Sequence, residues 1–255
     1  YLEHHKNDIW EHFGLVTGKV LGFEMPKLIR RYVGKKVCEP FKKSLPLLGV
    51  TPHSIPALEA WYEAFLTQLN THFAQHDYLL GGRASIGDFG LMGPLFAHLG
   101  RDAYPLAMMQ RMAPHVYAWV QRMNRVPSSY GEFLPDDAVP ETLTPILRRL
   151  FAEHWPVMAD TAHLLSAWRG EHPNEKIPRS TGWHNFKLGE VTERRRAFPY
   201  TVWMMQRVLK AYGSLAVPDK AHADAWLRTV GGYEALQFTV QDPVTRVKNK
   251  LVFVS

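Results

Sequence analysis

Residues 78–89 read YLLGGRASIGDF, and our interpretation of the fold starts from this stretch. Asp88 follows Ser85 by three residues, and an apolar run begins at Phe89. A serine with an acidic residue three positions later, ahead of an apolar run, is typical of a capping box. The serine hydroxyl accepts from the amide of the acidic residue, whose carboxylate accepts from the serine amide. The stretch therefore predicts a helix after Ser85 with a cap worth about 0.5–2 kcal/mol.

The predicted helix carries apolar residues on nearly every side, so we expect it to be buried. Glycines at positions 87, 90 and 93 would let neighbouring backbones approach closely. Pro94 has no amide hydrogen, so it removes one internal hydrogen bond and is expected to bend the helix.

Helix signals dominate the rest of the chain. Leu58, Trp61, Phe65, Leu69 and Phe73 recur every three or four residues and predict one apolar stripe. Further helices are predicted near residues 26–45, 114–123, 144–168, 199–212 and 218–230. Residues 170–189 are predicted to form a long surface loop or irregular hairpin, and residues 247–254 one short strand. The predicted fold class is all-α, a helical bundle with an appended helical extension and that one C-terminal strand.

Thirty lysine and arginine residues against twenty-four aspartate and glutamate residues give a net charge of +6. The basic residues form short, separate clusters, whereas nucleic-acid binders typically carry a continuous basic stripe, so we expect no nucleic-acid partner. The single cysteine, Cys38, excludes an internal disulfide framework, and a small buried side chain is favoured over a reactive thiol. No apolar run reaches the ~20 residues of a membrane span, and no signal peptide is visible. We expect an intracellular chain, cytoplasmic or mitochondrial.

Several clusters carry side chains capable of chemistry. His72 and His76 have metal-ligand spacing on one helix, but no third ligand is nearby, which favours solvated surface histidines. Asp136, Asp137 and Glu132 lie in a polar turn, which favours solvated carboxylates over a catalytic pair.

Residues 194–196 are three consecutive arginines, a potential anion clamp. The nearby Glu190 and Glu193 favour local ion pairs instead. Residues 203–205, Trp-Met-Met, are predicted to be core and not a cofactor pocket. We therefore assign no catalytic, cofactor-binding or metal-binding residue to this chain, and the roles of Ser85 and Asp88 are structural.

The stretch at residues 78–89 resembles the signature of the C-terminal helical domain of glutathione transferases, where a Leu-Gly-Gly turn and a Ser-x-x-Asp box precede the buried core helix. Residues 114–123, PHVYAWVQRM, are similar to the helix that packs next. Residues 198–207 and Gly231-Gly232 resemble a longer, bacterial-type branch with a helical extension. Gly87 departs from the family, which usually has alanine there. The resemblance implies a helical domain at residues 1–126 and a helical extension at residues 127–255.

The family's catalytic tyrosine, serine or cysteine and its glutathione site belong to an N-terminal thioredoxin-like domain, which the residues before Pro26 do not resemble. Tyr1 reads as the middle of a helix, so we expect a segment to be missing before it. His4, His5 and Trp10 lie where the family's first helix contributes to the acceptor-substrate wall. Their register in that helix is not defined, so we assign them no role. The resemblance implies no cofactor within this chain, and glutathione if the thioredoxin-like domain exists.

Two functions follow. The chain is the helical part of a glutathione transferase-like enzyme, not catalytic by itself, whose activity needs a thioredoxin-like domain. Alternatively, it is a non-catalytic scaffold or accessory subunit that uses the fold for protein–protein contacts. In either case we expect a protein partner or a homodimer.

Overall fold

The computed structural model describes residue 16, residues 26–125 and residues 130–254. These residues are mostly helical, as predicted, and they also form two small two-stranded sheets where the sequence predicted a single strand. In this part of the chain no helix is both long and apolar enough to cross a membrane.

The chain divides into two compact units. Unit 1 is Tyr1–Leu45 with Leu58–Thr144, and unit 2 is Pro46–Ala57 with Pro145–Ser255. These units are defined by contacts between residues. The domains predicted at residues 1–126 and 127–255 are defined by resemblance to a family, and that division stays a prediction.

Unit 1 contains helix α1, most of α2, and α3 to α5. In chain order they are Lys27–Ser44, Ile55–Phe73, Ile86–Met92, Ala103–Met112 and Pro114–Met123. Short 3₁₀ turns follow at Pro135–Asp137 and Glu141–Leu143.

The core of unit 1 lies along α2 and α5. Phe73 stacks on Trp119 with their ring centroids 4.8 Å apart, and Leu66, Leu69 and Val116 are buried with them. The predicted stripe on α2 is therefore only partly right. Its members Trp61 and Phe65 are half-buried and stack on each other, and Tyr62 and Leu66 are buried instead.

Pro94 changes the type of helix. After α3 ends at Met92, residues Gly93–His98 continue as a π-helix, in which the Leu99 amide donates to the Pro94 carbonyl at 2.9 Å. Proline cannot donate the usual α-helical hydrogen bond, and the segment that contains Pro94 forms wider turns instead. A second π-helix, Leu150–His154, ends two residues before Pro156.

Within its described residues, unit 2 contains five α-helices and both sheets. The helices are Thr144–Arg149 (α6), Trp155–Glu171 (α7), Tyr200–Gly213 (α8), Val217–Val230 (α9) and Tyr233–Leu236 (α10), and the strands are Gly182–Leu188 (β1), Val191–Ala197 (β2), Val244–Val247 (β3) and Lys250–Phe253 (β4). Leu165 of α7, Val202 and Met205 of α8, and Val244 of β3 meet in one buried cluster.

Both sheets are antiparallel hairpins. The β1–β2 hairpin pairs Gly182 with Ala197 and Leu188 with Val191, so the hairpin alternative for residues 170–189 is right only near its end. The strand predicted at residues 247–254 is wrong in extent. A turn with positive φ at Lys248 (48°) and Asn249 (61°) separates β3 from β4, because both central residues of such a tight turn adopt left-handed backbone angles.

Residues 46–57 pack on the β1–β2 hairpin within unit 2. The Thr51 hydroxyl donates to Glu193 Oε2 at 2.5 Å, and the Ser54 hydroxyl donates to the Gly49 carbonyl at 2.6 Å. Gly49 has φ +79°, and a Cβ at this position would lie 2.3 Å from Cε1 of Phe186. Only glycine fits this approach to the hairpin.

Candidate functional site

A network of polar contacts in unit 1 lies at the start of α3. Asp88 Oδ2 accepts from the Ser85 amide at 2.8 Å and from the Ser85 hydroxyl at 2.7 Å. The Asp88 amide donates to Ser85 Oγ at 3.4 Å. These reciprocal hydrogen bonds form a capping box, and they hold the first turn of the helix in place.

Asp88 also binds two groups that the sequence pattern did not identify. Its Oδ1 accepts from the Leu79 amide at 3.0 Å and from the Trp119 indole N–H at 3.0 Å. The carboxylate is fully buried, so its charge is stabilised by these donors and not by water. The sequence did contain an indication of the Trp119 contact. A buried tryptophan normally needs an acceptor for its N–H, and Asp88 is the one acid inside an otherwise apolar run.

His72 is the second polar link in unit 1. It is fully buried, so the prediction of a solvated surface histidine is wrong for this residue. Its Nδ1 lies 2.7 Å from the Thr142 hydroxyl, and its Nε2 lies 3.2 Å from the Tyr78 carbonyl oxygen. Burial lowers the pKa of His72, although the hydrogen bond to Tyr78 acts in the opposite direction.

The other predictions for unit 1 have clear outcomes. Cys38 is 1% exposed and burial raises the pKa of its thiol, which confirms the buried filler over the reactive thiol. Asp136, Asp137 and Glu132 are exposed, which confirms solvated carboxylates. His4, His5 and Trp10 lie outside the described residues.

One face of α3 and of the π-helix that continues it is open. Ile86 is 85% exposed and Phe89 is 66% exposed. Among the described residues, nothing lies within 4 Å of a Cβ added at Gly90 or Gly93, so these glycines leave a flat surface between the apolar side chains. We call Ile86, Phe89, Gly90 and Gly93 the open face. The prediction of a helix buried all round is wrong here, because the described neighbours cover only the side that carries Asp88 and Leu95.

In unit 2 the three arginines do not act as predicted. Of the described residues, neither Glu190 nor Glu193 forms an ion pair with any of them. Instead, Arg194 and Arg196 each lie 4.6 Å from the centroid of the Trp183 ring. The β1–β2 register places these three residues on one face of the hairpin, so the electron-rich Trp183 ring attracts both guanidinium groups.

The opposite face of the hairpin carries a buried group of titratable side chains. His184 and Arg195 are cross-strand partners, and neither ring nitrogen of His184 nor Nε of Arg195 has a hydrogen-bond partner. Burial, and then the charge of Arg195, lower the pKa of both His184 and His154. Asp160 Oδ2, 4.0 Å from His184 Nδ1, favours the charged histidine but does not outweigh burial.

The Trp203–Met205 cluster is core only in part, since Met205 is buried and Met204 is 44% exposed. Among the described residues, no three His, Cys, Asp or Glu side chains are grouped as a metal site would require.

Comparison with known proteins gives one match. Residues 52–127 match the family model described as glutathione S-transferase, C-terminal domain. The matched segment contains α3 with its capping box, Trp119 and the open face. No curated protein and no solved structure matched the chain.

Proposed function

We propose that the chain, whose residues 52–127 match the family model of the glutathione S-transferase C-terminal domain, supplies the acceptor-substrate half of a glutathione transferase-like enzyme. In this proposal a thioredoxin-like domain holds glutathione and the group that activates its thiol. The residues of this chain contribute the wall against which the electrophilic acceptor binds.

The open face is the observation that carries the proposal. Exposing apolar surface to water is unfavourable, and large exposed apolar patches usually mark an interaction surface. The side of α3 opposite to it is fixed by four hydrogen bonds to the Asp88 carboxylate, so the open face is presented in one orientation. A rigid, flat, apolar surface suits a large folded domain better than a flexible peptide.

Glutathione binding and conjugation by the full natural polypeptide that contains these residues test the proposal. We expect saturable glutathione binding by calorimetry and conjugation of a model aryl halide. Ile86→Asp should lower the conjugation rate by about tenfold, the effect of losing roughly 1.4 kcal/mol, because it places a charge in the domain contact.

Leu28→Asp is the matched control, since Leu28 is 80% exposed on α1 and lies outside the open face. It should leave the conjugation rate unchanged, and both variants should keep the wild-type circular dichroism spectrum. A polypeptide that neither binds glutathione nor conjugates the acceptor would overturn the enzyme proposal. If that inactive polypeptide also elutes in a larger complex that Ile86→Asp dissociates, the scaffold function stands in its place.

A further inference from the structure

A groove of about 740 Å³ lies in unit 2, outside the segment that carries the proposed function. One wall is the segment at residues 176–179, which precedes β1, and the other is the β3–β4 hairpin at residues 247–252. Pro199 and Tyr200, at the start of α8, close one side. The volume is within the ~300–1,000 Å³ that is typical of small-molecule sites.

The floor of the groove is apolar. Ile177, Pro178 and Leu251 are half-buried, Pro199 is buried, and the Tyr200 ring is 48% exposed. Binding of a hydrocarbon or aromatic group that displaces water from this surface is favourable by roughly 25 cal/mol per Å² of apolar surface buried.

The rim of the groove is cationic, with two positive side chains on each wall. They are Lys176, Arg179, Lys248 and Lys250. All four are exposed, and no carboxylate lines the groove. Within the described part of the chain, none of the four forms an ion pair, whereas Arg169 in the same unit pairs with Asp242 at 2.7 Å. Four like charges around one groove raise the local positive potential, which a bound anion would relieve.

The turn at the tip of the hairpin supports a functional interpretation. A two-residue turn with positive φ at both positions favours Asn-Gly, yet here Lys248 occupies the first position with φ 48°. A lysine pays a steric penalty in the left-handed region that asparagine or glycine largely avoids. The turn therefore keeps a cation at the mouth of the groove against its own backbone preference.

We propose that this groove binds an organic anion with an apolar body, a long-chain or aryl carboxylate. The apolar body lies on the floor of the groove, and the carboxylate is held by the rim cations. Inorganic anions leave the floor unused. Nucleic acid would need a cationic track, whereas these four side chains surround one concavity.

Calorimetric titration of the chain with dodecanoate, below its micellar concentration, tests the proposal. We expect one site per chain, with dodecanol and sulfate each binding at least about tenfold more weakly, because each supplies only half of the ligand. Lys248→Glu with Lys250→Glu should weaken dodecanoate binding by about tenfold or more. Lys210→Glu, at an exposed lysine of α8 outside the groove, should leave it unchanged.

Lys176→Glu with Arg179→Glu makes the same test on the other wall, so the proposal does not depend on one hairpin folding. Circular dichroism identifies any variant that does not fold. Dodecanoate binding that is equal in the wild type and in both folded double variants would overturn the proposal. Equal binding of dodecanol would overturn the role of the cations, and equal binding of sulfate would overturn the role of the apolar floor.

Discussion

The indole N–H of Trp119 donates to Asp88 Oδ1 at 3.0 Å, and both residues are fully buried. The same oxygen accepts from the Leu79 amide, so one carboxylate oxygen connects α5 to the loop before α3. Oδ2 completes the cap with Ser85. Asp88 is therefore both a helix cap and the polar centre of unit 1.

Asp88→Ala should lower the free energy of unfolding of unit 1 by about 3–5 kcal/mol. The substitution leaves the Leu79 and Ser85 amides and the Trp119 indole without their acceptor, and each buried unsatisfied donor costs about 1–3 kcal/mol. Urea unfolding followed by far-UV circular dichroism measures the loss. Asp77→Ala is the control. Its side chain is 67% exposed and pairs with Arg122 at 3.5 Å, so it should cost about 0–1 kcal/mol. Similar losses in the two variants would contradict the role of Asp88.

Trp119→Phe should cost less than Asp88→Ala and should be coupled to it. The phenyl ring can still stack on Phe73, but the indole donor is lost and Asp88 Oδ1 keeps only the Leu79 amide. A double-mutant cycle of Asp88→Ala and Trp119→Phe, from urea midpoints, should give a coupling energy of about 1–3 kcal/mol. Additive effects would mean that the hydrogen bond contributes nothing to stability.

Acidification should destabilise unit 2 through His184 and His154. Burial lowers both pKa values in the folded state, and their ordinary value of about 6.5 applies in the unfolded chain. The unfolded state therefore binds more protons, and the stability present above about pH 6.5 is lost as the pH falls below it, towards the depressed folded values. Asp160 opposes this loss for His184, and Arg195 adds to it.

Urea midpoints measured between about pH 8 and pH 5 test this sign. His184→Asn should flatten the dependence, whereas His222→Asn, at an exposed position on α9, should leave the wild-type slope. His72 in unit 1 also has a lowered pKa, so some slope should remain in every variant. An unchanged slope in His184→Asn would contradict the assignment of the pH dependence to His184.

Gly49→Ala should destabilise unit 2 more than Gly189→Ala does. Both glycines have positive φ, +79° and +59°, so each substitution carries the left-handed penalty of about 1–2 kcal/mol. The Gly189 site is open, whereas the new Cβ at Gly49 would meet the Phe186 ring at 2.3 Å. That overlap should add about 1–3 kcal/mol, measured by urea unfolding. Adding Phe186→Leu to Gly49→Ala should recover part of the loss, and no recovery would argue against the overlap.

Local patterns carried the features that depend on nearby residues. The three-residue spacing of Ser85 and Asp88 is sufficient to predict a cap. Gly231, the residue after α9, has φ +74°, a left-handed conformation that glycine readily adopts at helix ends. Pro94 was predicted to disturb its helix because the missing amide hydrogen is a property of that residue alone.

Long-range partners were not predictable in the same way. Trp119 lies 31 positions from Asp88, and Thr142 lies 70 from His72, so no periodicity within one element reveals either bond. An apolar pattern shows which residues of α3 favour burial, but it does not show whether another element covers them. For this reason the open face was predicted to be buried. The three arginines were assigned to ion pairs with adjacent acids, but strand pairing places the Trp183 ring against Arg194 and Arg196 instead.

Cys38, the chain's single cysteine, is 1% exposed on α1. A thiol reagent can react only after this part of unit 1 opens, and the raised pKa of the thiol slows any reaction further. The rate of thiol labelling therefore measures how often this part of unit 1 opens. It needs no introduced probe, and it reports on α1 separately from the signals that the eight tryptophans contribute to fluorescence.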